Sequence, residues 1–316
     1  MFEQIISKIE QHDSIVIFGH RNPDGDCYGS QIALRNILKA RYPDKNVYCV
    51  GSGLKKFYDI IGTMDAVSEE IISNSLAIVL DSNDLERCED TRVYKACDFA
   101  KIDHHIDTYT FTEGPEVIDD TASSTCELIY RFAKENDFEI DLVSASALYL
   151  GLMTDTGRFQ FANNFVRLFS IVRDLCDLGV DPILLNKTNN LVPAISLDIK
   201  SLIYTHIIKR DDGIIYALVT KKERDKLGVT SAQICGNTSL LGYIIDHPIW
   251  FVASETDFNG LQVEIRSSMF NVQAIAAHFG GGGHTYAAGF TTKSFNQDII
   301  NELISLCAET IKKGGN

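Results

Sequence analysis

Short apolar runs rich in β-branched residues alternate with segments of helical spacing through the first part of the chain. The runs cover residues 14–20, 46–51, 76–84 and 99–107, and the helical segments include residues 30–42 and 125–136. Strands that alternate with helices predict an α/β domain with a mostly parallel sheet and helices on both faces. Side chains that follow the strands are then expected to meet at one edge of the sheet, where their carboxyl ends lie.

Aspartate and histidine follow three of these four runs, and one more aspartate ends the helical segment that begins at residue 144. These side chains offer carboxylate oxygen and imidazole nitrogen and no thiolate, a donor set that suits Mn²⁺, Mg²⁺ or Fe²⁺ better than a structural zinc. The candidate metal ligands are His20, Asp24, Asp26, Asp81, His104 and Asp155.

An ordinary interpretation of the same residues stays open at this point. The sequence Asn-Pro-Asp-Gly at 22–25 is a good turn by itself, and Ser30 is a plausible N-cap for the helix over 30–42. Asp81 and Asp155 could be acidic side chains in turns, and the two adjacent histidines could lie on the surface.

The second part of the chain has its own pattern of strands and a helix. Asn and Pro cluster after the helical stretch that ends near residue 189, which predicts domains over 1–188 and 201–316 with a linker over 189–200. Strands are expected over 213–220, 248–256 and 260–268. A helix over 271–279 follows and runs into "GGGGH" at 280–284.

Charge and cysteine content exclude several classes of protein. The net charge is −14, and residues 191–316 carry 11 Lys and Arg against 12 Asp and Glu, so the excess of acid lies in the first part. Such a chain lacks the basic track that a binder of long nucleic acid needs. No window reaches the ~18 apolar residues of a membrane helix. The eight cysteines form no CxxC pair, and with no secretory pattern at the N-terminus we expect reduced thiols and a cytoplasmic protein.

Four short motifs occur along the chain in an order that is typical of one family. The segments "GHRNPDGD" (19–26), "LDSND" (80–84), "DHH" (103–105) and "TDTGRF" (154–159) together resemble the DHH phosphoesterase family. The later "EIRSS" (264–268) and "GGGGHTYAAGF" (280–290) resemble the DHH-associated domain of that family, so the resemblance spans nearly the whole chain. It implies a smaller α/β second domain, with a cleft between the two.

The resemblance implies a division of the ligands between two manganese ions, with magnesium or another divalent cation as an alternative. His20, Asp24 and Asp81 would hold one ion. Asp26, Asp81, His104 and Asp155 would hold the other, with Asp81 shared. Two metals would activate a water for attack on phosphorus. Asp81, Asp103 and His105 are then the expected catalytic residues, with His105 also a substrate contact and proton donor.

The resemblance also implies the substrate and the residues that bind it. The chain is similar in length to family members that hydrolyse very short oligoribonucleotides, about two to five nucleotides long, to mononucleotides. The resemblance therefore implies this activity, together with dephosphorylation of 3′-phosphoadenosine-5′-phosphate (pAp). Glycine amides can approach a phosphate closely, and Arg and His can add charged hydrogen bonds. The expected substrate-binding residues are His105, Arg158, Arg266, Ser267, Gly281, Gly282, Gly283 and His284.

Alternatives to this function remain. A phosphodiesterase for cyclic di-AMP or for linear dinucleotides such as pApA and pGpG would carry the same motifs. A metal-dependent nucleotide sensor without catalysis is an alternative of another class, although it predicts a broken ligand set. We expect neither a long nucleic acid nor a membrane as a partner, and a homodimer stays an open alternative.

Overall fold

The computed structural model describes residues 1–105 and 113–314. These residues form two compact units, Met1–Leu191 and Val192–Asn316. Within the described ranges, no helix is both long enough and apolar enough to cross a bilayer.

The first unit is built on a parallel sheet in the strand order β2-β1-β3-β4-β5. Its strands are β1 (Ser14–Phe18), β2 (Asn46–Cys49), β3 (Leu76–Leu80), β4 (Asp98–Asp103) and β5 (Glu116–Ile118). Its helices are α1 (Glu3–Gln11), α2 (Gly25–Arg41), α3 (Tyr58–Ile61), α4 (Glu69–Ser73), α5 (Thr125–Glu135), α6 (Leu142–Asp155), α7 (Phe165–Asp177) and α8 (Pro182–Asn189). Every strand pair is parallel, so the predicted sheet is confirmed. Residues 106 and 107 of the fourth predicted strand lie outside the described residues.

Both faces of this sheet are buried, which explains why its strands are continuous apolar runs and not alternating ones. Ile15 and Ile17 pack into the larger core with residues of α2, α5 and α6. Val16 and Phe18 point to the other face, where α4 and the 3₁₀ turns at 85–87 and 91–95 cover a smaller core.

Helix α2 begins five residues earlier than the sequence predicts. Asp24 is its N-cap, and one carboxylate oxygen of Asp24 accepts hydrogen bonds from the amides of Asp26 and Cys27, at 2.9 and 3.0 Å. The predicted cap, Ser30, is buried inside the helix and its hydroxyl donates to the carbonyl of Cys27. Pro23 and Gly25 are typical of a turn, so the sequence pattern did not indicate a helix start here. Asp24 is the stronger cap because its carboxylate satisfies two of the free amides of the helix N-terminus.

The second unit contains a mixed sheet in the order β10-β11-β9-β8-β7-β6. Its strands are β6 (Ile207–Lys209), β7 (Ile214–Val219), β8 (Ile249–Glu255), β9 (Leu261–Ser267), β10 (Gly282–His284) and β11 (Ala287–Thr291). Its helices are α9 (Ile195–Thr205), α10 (Lys221–Leu227), α11 (Ser231–Cys235), α12 (Gln273–His278) and α13 (Gln297–Gly314). Apolar clusters lie on both faces of the central strands, so the predicted α/β class holds here as well.

Two segments go beyond the sequence expectations. Helix α9 begins inside the predicted linker 189–200, because Ile199 and Ile203 have helical spacing and bury in an apolar cluster of the second unit. The end of the glycine run, for which the sequence predicts no element, is a strand: residues 282–284 form β10 and pair antiparallel with β11. Glycine is rare in strands, so local propensity does not predict this one.

Candidate metal centre and substrate-binding residues

All six predicted metal ligands meet in the first unit, at the carboxyl edge of the parallel sheet. One group forms around His20, whose Nε2 lies 3.4 Å from Asp81 Oδ2 and 3.9 Å from Asp24 Oδ1. The other forms around His104: its Nε2 lies 3.3 Å from an oxygen of Asp155, 3.7 Å from Asp81 Oδ1 and 3.9 Å from an oxygen of Asp26. The sequence prediction that strand ends would gather these side chains is therefore correct in its geometry.

Asp81 lies between the two groups. One carboxylate oxygen faces His20, and the other faces His104 and also accepts a hydrogen bond of 3.1 Å from the hydroxyl of Thr125. The Asp81 side chain is buried, and its backbone has a φ of +55°, in the left-handed region that aspartate tolerates better than most residues. A strained backbone at this position is typical of a functional site.

Asp26 is held by the N-terminus of α5. Its two oxygens accept hydrogen bonds from the amides of Thr125 and Cys126, at 2.6 and 2.8 Å. Helix N-termini favour anions, because unpaired amides and the helix dipole both point at them. Asp24, at the N-terminus of α2, is stabilised in the same way. Both carboxylates are therefore oriented by backbone before any ligand binds.

The electrostatics of this cluster favour a bound cation. Burial raises the pKa of Asp26 well above its usual range, and the charges of Asp81 and Asp155 raise it further. Burial, Asp81 and Asp24 raise the pKa of Asp155 to about 8. Burial opposes ionisation of Asp81 too, but His20, His104 and His105 together lower its pKa to about 2. Crowded, buried carboxylates of this kind are relieved by a divalent cation.

The donor atoms present fit a hard divalent cation. Asp26, His104 and Asp155 place one donor each within 4.8 Å of one another. Cys27 lies equally close to His20 and Asp81, but burial raises the pKa of its thiol to about 12. A protonated thiol is a poor ligand, so oxygen and nitrogen remain the useful donors.

His105 contacts Asp103 more closely than it contacts the predicted ligand Asp81. Its Nδ1 lies 2.8 Å from Asp103 Oδ1 and 3.6 Å from Asp81 Oδ1. Burial lowers the pKa of the His105 ring, but Asp103 and then Asp81 outweigh burial and raise it to about 9. The ring is therefore protonated near neutral pH, as a proton donor requires.

His105 and four of the six predicted ligands line a cavity of about 540 Å³. Its lining includes His20, Arg21, Asp24, Asp81, His105 and Asp155. The cavity is large enough for a phosphate group together with part of a nucleotide, and it is polar where it meets the ligands.

Arg158 is the middle one of three successive left-handed residues that begin two positions after Asp155. Gly157, Arg158 and Phe159 have φ angles of +56°, +62° and +64°. Non-glycine residues rarely adopt this conformation, which costs on the order of 1 kcal/mol for each. The guanidinium donates to the side-chain oxygen of Asn190. Arg158 is therefore three residues from Asp155 in sequence, but in the structure its side chain is hydrogen-bonded to Asn190.

In the second unit, Arg266 and His284 belong to one row of the sheet. Arg266 pairs with Ala287, and Ala287 pairs with His284. Residues directly opposite each other in antiparallel strands share a face, so both side chains flank a floor of small residues that includes Ala287 and Gly289. The guanidinium of Arg266 also forms a salt bridge with Glu264, at 3.0 Å.

The glycines differ in what they do. A Cβ on Gly281 would lie 2.2 Å from the carbonyl oxygen of Gly289, and Gly283 has a φ of +134° and no room beside Ala288. Gly282 has neither restriction, since an added Cβ would meet nothing within 4 Å. Gly281 and Gly283 are therefore required by the hairpin, whereas at Gly282 the fold leaves the choice of residue open.

The expectation for Ser267 is corrected. Side chains alternate along β9, so Ser267 lies on the opposite face from Arg266 and is buried. Its hydroxyl oxygen accepts hydrogen bonds from the amides of Met269 and Phe270, at 3.1 and 2.8 Å. Ser267 closes a turn and does not face the row that holds Arg266.

Sequence reasoning also missed residues that support the metal cluster. The Thr125 hydroxyl and amide donate hydrogen bonds to two predicted ligands, Asp81 and Asp26. Ser124 is the actual cap and accepts a hydrogen bond from the amide of Glu127. The signal was present as a Ser-x-x-Glu pattern, which predicts a helix start but not what the start holds.

Comparison with known proteins decides the family. Residues 14–152 match the N-terminal domain of the DHH family, and residues 207–313 match the DHHA1 domain. The bifunctional oligoribonuclease and PAP phosphatase NrnA of Mycoplasma genitalium is 33% identical over 314 residues, which cover 98% of this chain and 97% of that protein. The chain belongs to the DHH family. It is a phosphoesterase, as the motifs predicted.

Two further comparisons bear on this DHH phosphoesterase. The cyclic-di-AMP phosphodiesterase PdeA of Listeria monocytogenes is 28% identical over 302 residues, which cover 87% of this chain and 44% of PdeA. The crystal structure of an exopolyphosphatase-related protein from Bacteroides fragilis superposes with a TM-score of 0.85 at 23% identity, covering 98% of this chain and 96% of that one. That superposition confirms the fold.

Proposed function

We propose that this DHH phosphoesterase hydrolyses very short oligoribonucleotides to mononucleotides and also dephosphorylates pAp, with two manganese ions at the carboxyl edge of the parallel sheet. The observation that carries the proposal is the meeting of the six aspartate and histidine side chains at this edge, where His20, Asp24, Asp81 and Asp155 line one cavity. Likeness over nearly full length to the bifunctional relative supports the substrate class. A cytoplasmic location remains a prediction, and a homodimer remains an open alternative.

The proposed ligand sets follow the two groups of side chains. His20, Asp24 and Asp81 would hold one ion, and Asp26, Asp81, His104 and Asp155 the other. The ions would supply an activated water and neutralise charge on the phosphoryl oxygens. The complete set of ligands argues against a sensor without catalysis.

The remaining work in the first unit falls to the pair of Asp103 and His105. Asp103 keeps the His105 ring charged and fixes its orientation through the 2.8 Å contact. A charged ring that lines the cavity can bind a substrate phosphate and then donate its proton to the leaving oxygen. We assign Arg158, three residues beyond the ligand Asp155, to a further phosphate contact.

We assign further phosphate contacts to the second unit. Arg266 and His284 supply charge on either side of a small-residue floor, and the backbone around Gly282 lies open for a phosphate. The acidic net charge disfavours a long strand as the substrate.

A digestion panel tests the proposed function. Purified enzyme with Mn²⁺ is given pApA, pGpG, a 5-mer, a 24-mer, pAp and cyclic di-AMP, and the initial rates are compared. We expect the dinucleotides, the 5-mer and pAp to be consumed and the 24-mer to be nearly resistant. A faster rate for cyclic di-AMP would replace the proposal by the alternative that the partial likeness to PdeA favours.

Gly282→Ala separates substrate binding from folding. An added methyl group meets nothing in the fold, so the melting temperature should stay within about 1 °C, while close approach of a phosphate is obstructed. We expect KM for pApA to rise about tenfold, which corresponds to one lost hydrogen bond to a charged group. Gly281→Ala is the matched control and should lower the melting temperature. An unchanged KM in Gly282→Ala would remove this backbone from the substrate site.

A further inference from the structure

The amides of Thr125 and Cys126 orient Asp26, and their position depends on residues 119–124, which we call the approach segment of α5. The approach segment lies between β5 and α5 and has no strand or helix of its own, so contacts with other residues must fix it. Because Asp26 belongs to one of the two proposed ion sites, a role of this segment at the metal centre rests on the proposed function.

Glu127 fixes the approach segment from the side of α5. Its side chain is fully buried, and its Oε2 accepts a hydrogen bond of 2.9 Å from the amide of Ser123. In an ordinary capping box, the glutamate would return to the amide of the cap residue, Ser124. Here the bond falls one residue earlier, so it ties the approach segment itself to the first turn of α5.

Arg167 fixes the approach segment from the side of α7. Its Nε lies 2.5 Å from Oε1 of Glu127, and its Nη2 donates to the carbonyl of Thr121 at 2.6 Å. Asn163, just before α7, adds a 2.9 Å bond from its amide to the carbonyl of Asp120. The charge of Arg167 compensates the buried carboxylate of Glu127 through this ion pair.

We propose that Glu127 and Arg167 are positioning residues for the metal centre: they hold the approach segment so that the amides of Thr125 and Cys126 keep Asp26 in place. The chain of contacts is continuous. Arg167 binds Thr121 and Glu127, Glu127 binds Ser123, and two residues later Thr125 binds Asp26 at 2.6 Å. The pair therefore sets the affinity of the ion site formed by Asp26, Asp81, His104 and Asp155.

Selectivity for one site distinguishes this role from a general contribution to stability. A pair that only stabilised the fold would lower the melting temperature and leave both ion affinities of the folded protein unchanged. Loss of a pair that positions Asp26 must weaken the site that contains Asp26 more than the site formed by His20, Asp24 and Asp81, because Thr125 reaches that second site only through the shared Asp81. Removal of Arg167 also leaves a buried carboxylate without a countercharge, which the segment can relieve only by moving.

The test measures Mn²⁺ binding to the full chain by isothermal titration calorimetry, with folding monitored by circular dichroism. For Arg167→Ala we expect one of two sites to weaken at least tenfold while the other stays within twofold of the wild type. Arg167→Lys keeps the charge but not the planar pair of donors and should give an intermediate loss. Arg173→Ala on the same helix is the matched control, because Arg173 forms an exposed ion pair with its neighbour Asp174.

The outcomes are separable. Two unchanged affinities in a folded Arg167→Ala protein would overturn the inference, as would an equal loss at both sites. If Arg167→Ala does not fold, the neutral pair Glu127→Gln with Arg167→Met avoids the buried charge, and the same selective loss decides the matter. A wild-type protein that binds no Mn²⁺ would instead contradict the proposed function itself.

Discussion

Asp81→Asn is expected to abolish hydrolysis while the protein stays folded. Asp81 faces His20 with one oxygen and His104 with the other, so both proposed ion sites lose a charged ligand at once. Loss of one hydrogen-bond donor at a catalytic site costs about 10²–10³ in kcat. Loss of a shared ligand should exceed this, and we expect kcat/KM for pApA to fall by roughly 10³ or more.

The fold should tolerate this substitution for two reasons. Asparagine, like aspartate, accepts the left-handed backbone observed at residue 81. The charge of Asp81 also raises the pKa of Asp24, Asp26 and Asp155, so its removal relieves repulsion among the remaining carboxylates. The melting temperature and the circular dichroism spectrum provide the check.

Asp98→Asn makes the same chemical change at the amino end of β4, where Asp98 pairs with Lys8. This control should retain nearly full activity. Activity above a tenth of the wild-type value in Asp81→Asn would show that Asp81 is not a shared ligand.

Metal affinity is expected to rise steeply with pH between 6 and 8. The pKa of Asp155 in the folded protein is raised to about 8, so below that pH its carboxyl group is largely protonated and the proton competes with the cation. The pKa of Asp26 is raised as well, by burial and by neighbouring charge. Each proton displaced makes the logarithm of the association constant rise by about one per pH unit.

The stability of the metal-free protein depends on pH in the opposite direction. A carboxyl group whose pKa is raised on folding stabilises the fold only while it is protonated, so that contribution is lost as the pH rises through about 8. Added Mn²⁺ should therefore raise the melting temperature more at pH 8 than at pH 6.

Calorimetry in two buffers of different ionisation enthalpy counts the protons released on Mn²⁺ binding. Release of about one or more protons at pH 7 is the expected result. An affinity independent of pH over this range would show that Asp155 and Asp26 do not ligate the ion.

The sequence predicted that these aspartate and histidine side chains meet, because the relevant physics is local and topological. Parallel strands end at a common edge, so Asp81 and His104 had to lie near His20 once the strands were recognised. The α/β class followed from the same alternation, and the family motifs placed the ligands in order.

What the sequence could not predict depends on side-chain alternation and on contacts far apart in the chain. Ser267 is adjacent to Arg266 in sequence but faces the opposite side of β9. Its position beside Arg266 in the sequence therefore did not make it a neighbour of Arg266 on the same face. The pairing of Arg167 with Glu127 joins residues 40 positions apart through burial, which no local pattern signals. The strand at 282–284 depends on its partner β11 and not on the propensity of glycine.

The glycine run at 280–283 has a consequence for how this segment can drift in descendants of the chain. At Gly281 and Gly283 any side chain is removed by selection for folding alone, because the hairpin has no room for one. At Gly282 folding imposes no such filter. If the backbone at Gly282 binds substrate as proposed, a lineage that lost its nucleotide substrate would be free to replace Gly282 and would still retain Gly281 and Gly283.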